Sequence, residues 1–167
     1  MLPRTLFSRE IRRPLPFHPI AQVVFFAASL LVILLFFFQP KLHFFAAGLA
    51  GSAFLVFAMP ERRMSQLRAI LGGHALSIAL GGLATLVPLP SDILGANPLL
   101  FLWAFAGAVA VLLMAAFKVL HPPAIATFLG MLVAREDLMR VSACVMIAAG
   151  ILVGIRLLLG NRLRDLA

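Results

Sequence analysis

The sequence predicts an all-α, polytopic membrane protein, and three observations lead there. Of its 167 residues 63% are hydrophobic and only 12% charged, about half the charged share of soluble domains. Mean hydropathy is +1.09. Apolar runs recur at 17–38, 42–59, 69–89, 96–120 and 141–160, and most are of helix-spanning length. None shows the alternating polar positions of a β-barrel strand. A net charge of +8 would suggest nucleic acid for a soluble chain. Here Arg and Lys cluster at the ends of the apolar runs, so membrane lipids and topology account for them and no nucleic-acid partner is expected. Cys144 stands alone within an apolar run, which leaves no intramolecular disulfide and no thiolate metal site.

Taken in order, residues 1–16 form a basic segment with Arg4, Arg9, Arg12 and Arg13 beside a single Glu10. By the positive-inside rule this is a cytoplasmic flank, as in a bacterial inner membrane. The first apolar run exceeds a signal-peptide core and has no small-x-small cleavage site, so it is expected to remain as a helix over Pro19–Phe38. Its Phe-rich patches read as lipid-facing mass. Gln39-Pro40-Lys41 is an outer turn. The second run, 42–59, contains Gly48, Gly51 and Ser52 and ends at Met59-Pro60. Glu61, Arg62, Arg63, Gln66 and Arg68 follow in a cytoplasmic loop, where Glu61 is expected to cap or to pair with Arg62, Arg63 or Arg68.

The third helix, 69–88, has Gly73, Ser77 and Gly81 at i, i+4 and i+8, a seam that permits close helix contact, including contact between copies. Pro88–Asp92 is an outer loop without a basic residue. The fourth run begins near Asn97-Pro98 and reaches Lys118, with Trp103 placed to anchor the outer interface and Lys118 to snorkel to the inner one. The last, 139–160, has Gly150 and Gly154 at small-xxx-small spacing, Arg156 one turn from its end, and Arg162 and Arg164 beyond.

Between the fourth and last runs lies His121-Pro122-Pro123-Ala124-Ile125-Ala126-Thr127-Phe128-Leu129-Gly130. Each proline lacks an amide proton and forces the residue before it out of the helical region, so the fourth helix is predicted to break near Leu120–His121. A new helix can begin with Pro122 or Pro123 in its first turn. Over 122–134 it is short of a full span at about 1.5 Å per residue against a hydrocarbon core of about 30 Å. Counting this segment as a crossing puts both termini in the cytoplasm, with Arg135 and Arg140 outside and partly offset by Glu136 and Asp137.

A weak internal match supports that even count: Ala50-Gly51-Ser52-Ala53-Phe54-Leu55 aligns with Ala124-Ile125-Ala126-Thr127-Phe128-Leu129 at an offset of 74. The expectation is one domain, 17–167, of six membrane elements in two inverted three-helix units, 17–89 and 96–160, as in many secondary transporters.

With these residues in view, the chain resembles the HPP family of integral membrane proteins, whose motif reads here His121-Pro122-Pro123-Ala124-Ile125-Ala126-Thr127. Gly51-Ser52-Ala53 before Met59-Pro60-Glu61, Gln66-Leu67-Arg68 before Gly72-Gly73-His74, and Asn161-Arg162 also fit, so the resemblance spans roughly 15–165. It implies at least four membrane helices and transport, with nitrite transport for members in plastids and cyanobacteria. The chain departs from the usual pattern at Leu67, where Pro is usual, and at Ile125, where Gly is usual.

A helix start exposes unpaired amides and a positive dipole end, which at membrane depth need a side chain, a water or an anion. The substrate-binding or pathway candidates are therefore His121, Pro122, Pro123, Ala124, Ala126 and Thr127 on one side. Gly51 and Ser52, the serine opposite Ala126 in the proposed repeat, stand on the other, with His74 and Arg68 toward the cytoplasm. Each has a purely structural alternative. His121 can bond a carbonyl freed by the prolines, the prolines can simply fix the break, His74 can be a packing residue, and Arg68 can be explained by topology. Four histidines without ligand spacing make no metal site, and no acid–base pair or nucleophile arrangement suggests an enzyme. No cofactor is expected. The expected function is transport of a small inorganic anion, nitrite being what the resemblance implies, by a homo-oligomer associated through its small-residue faces. The alternative is a non-transporting scaffold or regulatory module for a partner membrane protein.

Overall fold

A computed structural model describes residues 16–37, 39–87, 98–134 and 137–166. The elements are α1 (Pro19–Phe37), α2 (His43–Ala58), α3 (Leu67–Thr85), α4 (Pro98–Ala116), α5 (Ala124–Val133) and α6 (Leu138–Leu159), with short 3-10 turns at Pro40–Leu42, Arg63–Ser65 and Gly160–Arg162. Four helical stretches are long and apolar enough to cross a membrane: Pro19–Phe37, Pro40–Ala58, Leu67–Thr85 and Leu138–Arg162. Phe101–Ala116 and Ala124–Val133 are shorter apolar helices. The basic residues of 1–15, the loop 88–97 and the pair Arg135–Glu136 lie outside the described residues.

The helix break falls where the prolines demand it, but α4 stops slightly earlier than predicted. Lys118 adopts a left-handed φ of 58°. Its amide returns to the Ala115 carbonyl (3.0 Å), and the Val119 amide returns to Met114 (2.8 Å), which closes the helix in a Schellman-type cap. A lysine in this conformation costs about 1–2 kcal/mol relative to glycine, so the packing that follows must hold it there. Residues 119–121 are non-helical and lead back into the protein. Three such residues reach at most about 10 Å, and the ten residues of α5 add about 15 Å.

Hydrogen bonds gather several chain segments at one end of the molecule. The Phe17 amide donates to the Arg162 carbonyl (2.8 Å), and Arg68 Nη2 donates to the Phe117 carbonyl (3.0 Å). Arg62 pairs with Asp165 (3.2 Å). Glu61 pairs with Arg164 (2.9 Å) rather than with its sequence neighbours, because the C-terminal segment folds across the α2–α3 turn. Arg62, Arg63, Arg68, Lys118, Arg156, Arg162 and Arg164 all belong to segments at this end. Lys41 and Arg140, next to the N-termini of α2 and α6, belong to the other.

α5 is the centre of the packing, flanked by α2 and α3 with α4 behind it. Glycines make the close approach possible. A Cβ added at Gly73 would lie 2.6 Å from His121 Cβ, and one at Gly81 would lie 2.7 Å from Met131 Cβ. The Gly73/Ser77/Gly81 seam is thus consumed inside the chain, because α5 needs that face of α3, and it offers nothing to a second copy. Gly150 and Gly154 have open space instead. The phenylalanines of α1 are not all lipid-facing: Phe25 stacks on Phe57 at 6.2 Å and Phe26 meets Phe54 edge-on at 6.1 Å. Trp103 is partly buried in the α4–α5 contact rather than free as an interface anchor.

Candidate functional site

Where α2, α3 and the start of α5 meet, Ser52, His74, His121 and Thr127 are all completely buried. They come from three distant stretches of chain. Ser52 lies in the glycine-bearing part of α2, and His74 follows the paired glycines of α3. His121 immediately precedes the prolines, and Thr127 is on the first turn of α5. Close approach is again the local reason: a Cβ at Gly48 would lie 2.9 Å from the Pro123 carbonyl and 3.0 Å from Thr127 Oγ1. Ala124, fully buried, faces Gly73.

The polar atoms form one continuous chain. Thr127 Oγ1 is 2.8 Å from His74 Nδ1, and His74 Nε2 is 2.9 Å from Ser52 Oγ. Ser52 Oγ is 2.8 Å from His121 Nε2, and His121 Nδ1 is 2.7 Å from the Met64 carbonyl. The two imidazoles stand edge to face, 5.3 Å apart.

Elementary valence fixes the direction of this chain for neutral rings. A carbonyl can only accept, so His121 donates from Nδ1 and its Nε2 is a bare acceptor. Ser52 must then give its one proton to His121. Having none left for His74, it accepts from His74 Nε2–H. His74 Nδ1 is therefore bare and accepts from the Thr127 hydroxyl. The Gly48 carbonyl, 2.8 Å from Ser52 Oγ, competes for the same serine proton, but as an intrahelical carbonyl it has the Ser52 amide as its regular partner. Polarity runs unbroken from Thr127 through His74, Ser52 and His121 to Met64. One displaced member disturbs every other.

The remaining predicted site residues fall around this chain unevenly. Pro123 and Gly51 pack directly on each other. Pro122 is exposed and Ala126 half-buried. The helix-start amides are not bare: those of Ala124, Ile125 and Ala126 donate to the carbonyls of His121 (2.9 Å), Pro122 (3.1 Å) and Pro123 (3.2 Å). A tight first turn, which needs no amide from either proline, consumes them. Ser52 meets the two histidines rather than Ala126. Arg68 is exposed and remains at the arginine-rich rim, away from the cluster. Ile125 packs toward Ala110 and Met114 of α4, so its bulk is taken up on that side. Sequence reasoning did not identify Met64, whose contribution is a loop carbonyl and has no side-chain signature, or Gly48, whose role depends on where α5 crosses. Among the described residues no group of three His, Cys, Asp or Glu could hold a metal ion.

The family model described as "HPP, transmembrane region" matches residues 14–165. The chain belongs to the HPP family of integral membrane proteins. The match encloses all six helices, and the motif that names the family supplies the histidine at one end of the buried chain. The HPP family is transporter-associated, with anion or nitrite transport linked to some members. No curated protein and no solved structure matches the chain. In this HPP protein the two prolines turn His121 inward and start α5.

Proposed function

We propose that this HPP protein passes a small inorganic anion across a bacterial inner membrane, nitrite being the candidate that family membership suggests. The observation that carries the reading is the Ser52 hydroxyl bridging two buried imidazoles where α2, α3 and α5 converge. Four neutral polar side chains in an apolar protein are an expensive arrangement unless fully partnered. Here they supply hydroxyl and imidazole donors without a fixed positive charge. Such a site binds a monovalent anion weakly enough to release it. The closed chain is the resting state. Separation of α2 from α5 at the Gly48–Pro123 contact frees the donors for an anion. The Ser77 hydroxyl, one turn beyond His74, is buried without a partner among the described residues and adds a donor that the resting state leaves unused.

In this reading the arginine-rich end is cytoplasmic by the positive-inside rule, and both termini lie there. The contact of Phe17 with Arg162 supports that parity. α1–α3 and α4–α6 act as six membrane elements in two inverted units. The crossing of Gly48 and Gly51 on Pro123 and Thr127, next to the aligned segments 50–55 and 124–129, supports the relation.

The test is anion flux into proteoliposomes with a panel that includes nitrite, nitrate and chloride, for wild type, His121→Ala, Ser52→Ala and Thr127→Val. Wild-type flux that falls at least about tenfold in the folded variants is expected, since each removes a side chain offered to the anion, and a hydrogen bond to a charged group is worth about 1.5–3 kcal/mol. Unchanged flux in folded variants removes the site assignment. A second reading has one observation in its favour, namely that the chain of hydrogen bonds is complete and closed. A purely structural network of this kind suits a membrane module that binds a partner protein, and copurification of that partner with no solute flux would favour it.

A further inference from the structure

α1 packs on α2, α6 packs on α2 and α3, and α1 and α6 touch each other at most marginally. Between them runs a lateral cleft of about 980 Å³ with Phe57 of α2 in its lining. Its walls are mostly aliphatic and aromatic side chains. Val32 on one side and Ile147 and Ile151 on the other are each more than half exposed. On α1 the cleft runs from Phe25 to Phe37, about 18 Å at 1.5 Å per residue, which exceeds one leaflet of a hydrocarbon core about 30 Å thick.

The two ends of the cleft differ in chemistry. At the arginine-rich end, beyond Phe25, the Gln22 amide closes the space between α1 and the C-terminal segment. Gln22 donates to the Phe57 and Arg164 carbonyls, both at 2.8 Å, and accepts from the Arg164 amide at 3.0 Å. The opposite end is an open mouth lined by Gln39, Lys41, Asp137 and Arg140. The N-termini of α2 and α6, starting at His43 and Leu138, flank the same mouth and present the positive ends of their dipoles. Among the described residues, the mouth thus joins two cations and two helix starts to the Asp137 carboxylate.

We propose that this cleft is a binding site for one anionic phospholipid, with an acyl chain between α1 and α6 and the headgroup phosphate at Lys41, Arg140 and the helix starts. Asp137 sets the polarity of the mouth: it disfavours a second phosphate and can accept from a glycerol hydroxyl. The arrangement explains why α1, anchored by Gln22 at one end, stands off α6 with no side chain of the described residues filling the space. The occupant is a lipid chain because the walls offer no polar group to bond a peptide or a solute between the mouth and Phe25 other than the Ser29 hydroxyl and the Cys144 thiol.

The test uses the full chain in detergent and measures lipid retention by native mass spectrometry, alongside thermal stabilisation by phosphatidylglycerol or phosphatidylcholine of matched chains. One phosphatidylglycerol per chain, retained in preference to phosphatidylcholine, is the expected result. Lys41→Gln and Arg140→Gln should each weaken retention about fivefold, from about 1 kcal/mol per basic residue at a lipid surface. Ile147→Trp, which fills the cleft without touching the mouth, should abolish it. Equal retention of the two lipids, or retention indifferent to all three substitutions, overturns the proposal. So does a homodimer whose cross-links place the partner's helix in the cleft. None of these outcomes bears on anion flux, so this site and the proposed transport stand or fall separately.

Discussion

The α2–α3–α5 centre and the α1–α6 flank are both built from apolar helices, yet they are held in opposite ways. At the centre, glycines bring backbones into contact, and a directional chain of buried hydrogen bonds leaves no freedom of register. At the flank, α1 leans on α2 through aromatic rings, one buried glutamine latches it at one end, and the rest of its far side faces a cleft. In a membrane, burial of apolar surface between helices gains little, because lipid tails are as apolar as leucine. What orders the helices is close packing and polar partnership, and this chain concentrates both around α5.

The largest expected effect tests that concentration directly. Gly73→Ala places a Cβ 2.6 Å from His121 Cβ, where neither the proline-fixed turn nor the buried ring can retreat. Overpacking of this kind costs about 1–3 kcal/mol or more. Gly150→Ala meets nothing within 4 Å and should leave stability unchanged or slightly raised. Thermal unfolding of the two variants in the same detergent gives the comparison. Equal midpoints would show that α3 does not pack on the break as described.

The break itself was legible in the sequence, because Pro122 and Pro123 permit no other backbone. So were the positions of the helices, whose ends moved by only a few residues. Ser52, His74, His121 and Thr127 were each identifiable as polar residues in apolar runs. Their mutual contact was not, since residues from three distant segments meet only after α5 has wedged between α2 and α3. The same wedge reversed the reading of the Gly73/Ser77/Gly81 seam: small-residue spacing predicts a close neighbour but does not say whether that neighbour is another copy or the same chain. The helix-start amides misled in a different way. Prolines suggested vacant donors, but a tight first turn returned those of 124–126 to the carbonyls of 121–123.

A smaller but more specific effect separates the buried chain from the latch. Ser52→Ala leaves His121 Nε2 and His74 Nε2 without their shared partner, at a cost of about 1–3 kcal/mol. Because His121→Ala removes the same link, the double variant should cost less than the sum of the singles, by about 0.5–3 kcal/mol. Ser52→Ala combined with Gln22→Ala should be additive, since among the described residues the Gln22 side chain bonds Phe57 and Arg164 and shares no partner with Ser52. A double-mutant cycle by thermal unfolding measures both couplings. Additivity between Ser52 and His121 would mean that the hydrogen-bond chain does not act as a unit.

The smallest effect is expected at the arginine-rich rim, where the most conspicuous charges are. Glu61 and Arg164 form an ion pair at 2.9 Å, but their side chains are 51% and 42% exposed. Exposed pairs contribute about 0–1 kcal/mol and weaken as salt shortens the screening length to about 8 Å at physiological ionic strength. Glu61→Gln should therefore lower the unfolding midpoint by little, and by still less in high salt. Gln22→Ala, a few residues into α1, carries no charge change at all and should cost more, because it leaves one buried carbonyl, at Phe57, and the half-buried carbonyl and amide of Arg164 without their partner. If Glu61→Gln proved the more damaging, the C-terminal segment would be held by its charges rather than by the buried amide. The closed end of the cleft would then open with salt, and lipid retention would follow ionic strength instead of the residues at the mouth.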